Sequence, residues 1–253
     1  MYAIAHADSA APAGLRGMDD GVVRAERTGD LAAFVSDVAE EEFAEVPLNA
    51  NLSNMEWLAP RAVRHQEVNA ALAAAIDPLV PLSFGTVFRD RAGVERMLRE
   101  RAAEVRPRLE ALRGKAEWIA VVRRDEDRAV AALESASEAL RALRAQIDAA
   151  APGRGYLVRR RLDETKRQEL RASDAGALGA ATAALEQAGG RLFREPLVED
   201  AGGGVIARFS VLAGREAGPA LAGAGIGEWQ DRGYALELTG PWPAYRFATV
   251  SGS

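Results

Sequence analysis

Apolar and β-branched positions near the start of the chain occur in short runs typical of strands. Three such runs lie at 2–6, 21–28 and 31–38, and a tight Gly29-Asp30 turn joins the second to the third. A longer run, "LVPLSFGTVF" at 79–88, is apolar and bounded by turn residues. It therefore reads as a buried strand. The pattern predicts a small sheet and a buried strand at 79–88 that is central to the first domain.

Between these strands the apolar spacing changes to three and four residues, which is the helical period. The acidic stretch "EEEFAEVPLN" (40–49) is broken by a proline, and we interpret it as a solvated loop. A helix begins at the cap residue Asn54, and Pro60 is expected to divide or kink it. A second helical stripe covers 94–112, with Gly114 as its stop.

The second half of the chain contains its most regular periodicity. A strand at 115–124 precedes apolar residues that step by four and three from Ala129 to Ile147, which predicts one helix lying on a sheet. A charged pair of helices follows at about 155–188. The remaining predicted elements are a strand at 191–198, a turn at 199–204, a strand at 205–213, a short helix near 215–224 and a last strand at 229–238. Without the extra helices, this order is the β-α-β-β-α-β order of ferredoxin-like folds.

These elements predict an α+β protein with two domains. The first is a mixed α/β domain at 1–114, and the second is a modified ferredoxin-like domain at 115–240. The helices at about 155–188 form an insertion in the second domain, and 241–253 form an extended C-terminal tail.

The tail concentrates aromatic residues in the sequence "LTGPWPAYRF". Pro241 and Pro243 flank Trp242 and cannot donate to a sheet ladder, so the last strand should stop near Thr239. Trp242, Tyr245 and Phe247 are candidate anchors. They either clasp the first domain near Phe84 of the 79–88 strand, which we favour, or bind a partner.

Composition excludes several classes of function. The formal net charge is −5, which provides no basic field for nucleic acid or anionic lipid. No apolar run approaches the roughly 20 residues that span a bilayer. The first residues do not resemble a signal peptide. The chain has no cysteine. We therefore expect a cytoplasmic protein that binds neither nucleic acid nor membranes.

Residues for catalysis or cofactor binding are sparse. His6 and His65 are the two histidines, and His65 is expected on a helix surface or in hydrogen bonds between domains. The glycine runs at 202–204 and 223–227 lack the flanking residues of phosphate-binding loops, so we expect a hairpin turn and a helix stop there. The sequence thus predicts no enzyme activity, no cofactor and no metal.

Three blocks, taken together and in order, resemble the GvpF/GvpL family of gas vesicle proteins. They are "PLSFGTVF" after a helix containing "RHQEVN", "GRGYLVRRR" at the opening of the inserted helices, and the terminal "LTGPWPAYRF". The similarity extends from the first strand to Phe247.

The resemblance implies a minor, non-enzymatic component that assists assembly of the gas vesicle shell. Its implied partners are the small apolar shell subunit and other gas vesicle accessory proteins, and its implied location is the cytoplasm and the gas vesicle. The alternative is a small-molecule-binding or regulatory module, because ferredoxin-like sheets commonly have that role.

Overall fold

The computed structural model describes residues 1–149, 155–197 and 204–248, and the chain divides into two compact units. The first unit contains Met1–Glu117 together with the C-terminal segment that begins at Pro241. The second unit contains Trp118–Gly240.

A four-stranded sheet with the order β2-β3-β1-β4 forms the centre of the first unit. Its strands are β1 (Ala3–His6), β2 (Arg24–Thr28), β3 (Leu31–Val35) and β4 (Val80–Pro81). Its helices are α1 (Glu40–Phe43), α2 (Glu45–Asn51), α3 (Met55–Ala75) and α4 (Arg91–Leu112).

Antiparallel pairing of β3 with both neighbours fixes this sheet. Ala3 lies opposite Phe34, and Gly29 has a φ of +61° in the tight turn between β2 and β3. All five residues of β3 are buried, so both faces of the sheet are covered. Helix α3 adds Val68 and Leu72 to the cluster around Phe34, while α4 packs on β2 and β3.

The acidic stretch at 40–49 is helical, which corrects the prediction of a loop. Glutamate is a good helix former, and the stretch forms α1 and most of α2. Pro47 is the third residue of α2, where the missing N–H has no intrahelical partner. The proline is therefore compatible with the helix that it was expected to prevent.

The predicted central strand at 79–88 is also wrong. Only Val80 and Pro81 pair with β1, at the edge of the sheet, and the backbone N–H of Leu82 makes one further bond to the Tyr2 carbonyl. An edge position suits Pro81, which has no N–H to donate. Beyond Leu82 the chain leaves the sheet in a loop in which Gly85 has a φ of +86°.

The two long helices of the first unit begin and end close to the predicted positions. The Asn54 side chain accepts a hydrogen bond from the Glu56 N–H and caps α3. Helix α3 runs without interruption through Pro60, so the predicted division does not occur. Its packing on the sheet compensates for one lost hydrogen bond. Gly114, with a φ of +66°, follows the end of α4.

The second sheet has the order β6-β7-β5-β8, which is the strand order of a split β-α-β-β-α-β unit. Its strands are β5 (Lys115–Arg124), β6 (Arg191–Arg194), β7 (Val205–Gly214) and β8 (Tyr234–Trp242). The helices are α5 (Glu126–Ala136), α6 (Glu138–Asp148), α7 (Gly155–Gln187) and α8 (Gly218–Ala222). The predicted α+β class with a modified ferredoxin-like part is confirmed.

Two helix predictions in this unit are wrong in detail. The expected single helix at 129–147 is interrupted at Ser137, whose backbone is extended and whose hydroxyl accepts from the Leu140 N–H. Serine favours such a cap, so α6 begins there. The expected pair of inserted helices is one helix of 33 residues, α7. Most of the predicted hairpin turn at 199–204 lies outside the described residues.

The core of the second unit lies between α7 and its sheet. Helix α7 buries Ala177, Ala181 and Leu185, which are four residues apart and share one helix face. They pack in one cluster with Phe209 and Val211 of β7.

The last strand begins and ends later than predicted. Trp229 lies in a 3₁₀ turn, and β8 continues through Pro241 to Trp242. Pro241 is tolerated because β8 is the edge strand of its sheet. Beyond the strand, Tyr245 to Phe247 form a turn that is closed by a bond from the Ala248 N–H to the Ala244 carbonyl. The tail is therefore not extended throughout.

Candidate functional site

A groove on the first unit is lined by two segments, the α1–α2 region and the loop after β4. Its cavity volume is about 630 Å³. Its apolar lining consists mainly of Val38, Phe43, Leu48, Val87 and Phe88. The charged side chains that line it are Glu40, Glu45 and Arg89. We call this feature the groove.

Aromatic packing fixes the α1 wall of the groove on α3. The ring centroids of Phe43 and Trp57 are 5.2 Å apart. The indole N–H of Trp57 donates to the Glu42 carboxylate at 2.8 Å, and Arg61 pairs with the same carboxylate. The Arg61 guanidinium also lies 4.4 Å from the Trp57 ring centroid. These contacts hold a short helix that has little stability of its own.

Exposure distinguishes the walls of the groove from its floor. Phe43 and Leu48 are buried, whereas Val87 is 37% exposed. Glu40 and Glu45 are exposed, and no ion pair involves either of them in the part of the chain that the structure describes. Two carboxylates and one guanidinium give the groove a negative rim around an apolar floor.

A smaller cleft of about 170 Å³ adjoins the groove and shares Phe43, Val87 and Phe88 with it. Its polar end holds Glu26, which is buried and pairs with both Arg24 and Arg91 at 2.9 and 3.1 Å. Because the buried carboxylate is paired with two guanidinium groups, this end of the cleft is a structural ion-pair network.

His65 lies in the wall of this cleft and is buried, which corrects its expected surface or interdomain position. Its ring centroid lies 5.4 Å from that of Tyr2 and 5.7 Å from that of Phe84. Its Nδ1 is 3.4 Å from the Asn69 amide nitrogen. Burial, reinforced by the Met1 ammonium group, lowers the pKa of His65 to about 4. The imidazole is therefore neutral at pH 7.

This low pKa predicts a loss of stability in mild acid. The unfolded chain binds a proton near the ordinary pKa of 6.5, whereas folded His65 does so only near 4. The free energy of unfolding should therefore decrease as the pH is lowered from 6.5 to about 4, and this group accounts for about 3 kcal/mol of the decrease. Urea unfolding at a series of pH values should show a shallower decline for His65→Gln. The control His6→Gln should retain the steep decline, and equal slopes for wild type and His65→Gln would contradict the assignment.

The described C-terminal segment packs against α3, α4 and the start of β5. The Arg246 N–H donates to the buried carboxylate of Glu117 at 2.7 Å, and Arg108 donates to the Ala248 carbonyl at 3.1 Å. The amide of Asn69 hydrogen-bonds the Tyr245 hydroxyl. Burial, the larger effect, raises the pKa of Tyr245 to about 12.

The four predicted anchor residues occupy different environments. Tyr245 and Phe247 are half-buried, and Trp242 is 37% exposed. Phe84 is half-buried and lies 6.2 Å from the Trp57 ring, in the aromatic group that borders the cleft. The structure thus gives Tyr245 and Phe84 defined partners on the first unit.

Sequence reasoning missed the groove. Its α1–α2 wall falls in the stretch interpreted as a loop, and its other wall falls in the stretch interpreted as a strand. The available signal was the pair of apolar residues Phe43 and Leu48 among glutamates, with Pro47 at a position that a helix start accepts.

Within the described residues, no group of three or more histidine, aspartate or glutamate side chains is placed to hold a metal ion. In the same ranges, none of the helices is both long and apolar enough to cross a bilayer.

The two four-stranded sheets, one with ferredoxin-like strand order, place the chain in the class of two-unit α+β proteins. Its family follows from the sequence: residues 1–249 match the family described as gas vesicle synthesis protein GvpL/GvpF. The chain belongs to this family, and the resemblance noted in the sequence is confirmed.

Individual relatives agree with this assignment. The chain is 38% identical over 119 residues to gas vesicle protein L of Streptomyces sp. (strain CB03234), a match that covers 47% of this chain and 44% of that protein. It superposes on the crystal structure of GvpF from Anabaena sp. PCC7120 with a TM-score of 0.72, 19% identity and 99% and 98% coverage of the two chains. It also superposes on the crystal structure of GvpF from Microcystis aeruginosa, with a TM-score of 0.65, 18% identity and 98% coverage of each chain. These structures establish the shared fold.

Proposed function

We propose that this protein is a non-enzymatic accessory protein of gas vesicle assembly that binds the apolar shell subunit in the groove. Membership of a gas vesicle synthesis family supports the process. The observation that carries the binding role is the groove itself, a concave apolar surface with a polar rim. Such surfaces mark protein interaction sites. The protein then acts in the cytoplasm and on the growing gas vesicle, beside other accessory proteins.

Burial of apolar surface supplies most of the affinity in this proposal. An apolar subunit offers few charges for Glu40 and Glu45, so a few side chains such as Val87 and Phe88 carry most of the binding energy. High salt should then weaken the complex little, because screening acts on charges. A steep loss of affinity between low and moderate salt would indicate electrostatic capture instead.

Val87→Asp tests the groove directly. Val87 is partly exposed in the free protein, so the folded state should tolerate aspartate, whereas the complex would bury an unpaired carboxylate. We expect the dissociation constant for the purified shell subunit to rise by about tenfold or more. Microscale thermophoresis measures this change.

The matched control is Val63→Asp on α3, which is 56% exposed and does not line the groove. It should bind like wild type. Equal binding by both variants would remove the groove from the proposal. No binding of the shell subunit by wild type, together with a discrete metabolite retained by the purified protein, would favour the small-molecule-binding alternative.

We also propose that the C-terminal segment clasps the first unit rather than binding the shell subunit. The contacts of Tyr245, Arg246 and Ala248 with α3, α4 and β5 support a structural role. Trp242 retains 37% exposure and is the anchor best suited to the competing role in partner binding.

A further inference from the structure

The groove leaves the apolar side chain of Val87, on its wall, open to solvent whenever no partner fills it. Apolar surface exposed at the edge of a concave site favours association with a complementary surface. When no partner occupies the groove, the free protein stays unassociated only if another surface covers the groove or if the protein concentration is low. A surface with the chemistry to cover it lies elsewhere on the same chain.

The first two turns of α7 present an exposed apolar pair followed by basic residues. Tyr156 and Leu157 are 72% and 73% exposed. Arg159 and Arg161 lie about one turn further along the helix and are also exposed. We call residues 155–161 the α7 tip.

The charges of the α7 tip are available for a partner. Arg160 pairs with Glu164 at 3.1 Å, but no ion pair involves Arg159 or Arg161 among the described residues. On the groove, Glu40 and Glu45 have the complementary charge and are likewise without an ion pair there. Each surface thus combines apolar side chains with charges that have no ion-pair partner within the described ranges, and the two charges are of opposite sign.

We propose that the α7 tip of one copy of this protein occupies the groove of another copy. Tyr156 and Leu157 cover the apolar floor, and Arg159 and Arg161 face Glu40 and Glu45 on the rim. The two surfaces are different parts of the chain, so the contact is heterologous and passes from copy to copy. It shares the groove with the proposed function but does not depend on binding of the shell subunit.

The size of the contact makes it weak and reversible. One tyrosine and one leucine at the end of a helix form an interface below the roughly 1,200 Å² of stable complexes. Self-association should therefore appear at concentrations of tens to hundreds of micromolar. Because the rim charges are exposed, salt should weaken it, unlike binding of the shell subunit. The shell subunit and the second copy would also compete for one groove.

Sedimentation velocity of the full chain, without the shell subunit, tests the proposal. Wild type should sediment faster as its concentration rises from about 10 to about 300 μM at low salt, and about 0.5 M NaCl should suppress this increase. A wild-type sedimentation coefficient that is independent of concentration over this range would overturn the proposal.

Two charge-reversal variants make the test specific. In Glu40→Lys/Glu45→Lys both surfaces are positive, and in Arg159→Glu/Arg161→Glu both are negative. Each variant alone should lose at least about tenfold in association constant, because like charges meet at the contact. An equimolar mixture should associate again, since the unaltered α7 tip of the first variant fits the unaltered groove of the second. The two reversed surfaces also have opposite charges.

This recovery also shows that both variants are folded. A mixture that stays monomeric, or a single variant that associates like wild type, would contradict the proposal. The control variants are Glu56→Lys/Glu100→Lys and Arg96→Glu/Arg171→Glu, which make the same changes in net charge at exposed positions outside both surfaces. Each should self-associate like wild type. If the association constants of these controls fall as much as those of the test variants, net charge causes the effect, and the groove and the α7 tip do not.

Discussion

Removal of the residues after Trp242 is expected to lower the melting temperature by about 10 °C. The deletion removes Tyr245, whose partial burial contributes about 1–2 kcal/mol. It also takes the Arg246 N–H away from the buried Glu117 carboxylate, which costs about 1–3 kcal/mol. For a unit of this size, each kcal/mol shifts the melting temperature by about 3 °C. Differential scanning calorimetry measures the shift.

A chain that ends at Ala248 is the matched control, because it keeps every described contact of the segment. It should melt at a clearly higher temperature than the chain that ends at Trp242. If the chain ending at Trp242 melts like the full chain but no longer binds the shell subunit, the segment is a partner-binding element and the proposed clasp is wrong.

Trp242→Ala separates the two roles at a single residue. A fully buried tryptophan would cost about 3–5 kcal/mol on truncation. Since Trp242 is 37% exposed, the loss should be smaller, about 1–2 kcal/mol. A loss of shell-subunit binding with little change in stability would assign Trp242 to the partner.

Gly176→Ala is expected to destabilise the second unit although alanine favours helices. A Cβ at Gly176 of α7 would overlap the Trp229 ring. That ring is held by an edge contact with Tyr234 at 5.7 Å and by Arg232, 4.8 Å from its centroid. Overpacking costs about 1–3 kcal/mol, which exceeds the gain of about 1 kcal/mol in helix propensity. We therefore expect a net loss of up to about 2 kcal/mol in the free energy of unfolding measured in urea.

Gly179→Ala provides the control on the same helix. Gly179 is exposed, and a Cβ added there would meet no neighbouring atom of the described chain within 4 Å. Alanine there should stabilise the protein by about 0.5–1 kcal/mol. If both substitutions stabilise it equally, Trp229 does not pack on α7 as described.

The sequence predicted the helices and strands in which apolar residues recur at a regular spacing. The stripe from Val94 to Leu112 and the short runs around β1 and β3 follow from periodicity and turn residues alone. The ferredoxin-like order of the second unit also followed from the order of elements. Helix boundaries were less predictable. Ser137 lies within an unbroken apolar stripe, so periodicity alone does not reveal that its hydroxyl caps a new helix.

The groove could not be predicted because both of its walls depend on tertiary contacts. Helix α1 has four residues and is held by the packing of Phe43 on Trp57, which no local signal reveals. The loop after β4 forms because β1 offers an edge to only two residues of an apolar run. In contrast, the aromatic tail was recognisable as a feature, since its prolines and rings are adjacent in sequence.

Site-specific photocrosslinking in gas-vesicle-forming cells tests the central claim most directly. A benzophenone side chain would replace Val87 in the groove or, as the control, Val63 on α3. The proposal predicts a crosslinked product that contains the shell subunit from position 87 and none from position 63. Products from both positions in equal amounts, or a shell-subunit product from position 63 alone, would contradict binding of the shell subunit in the groove.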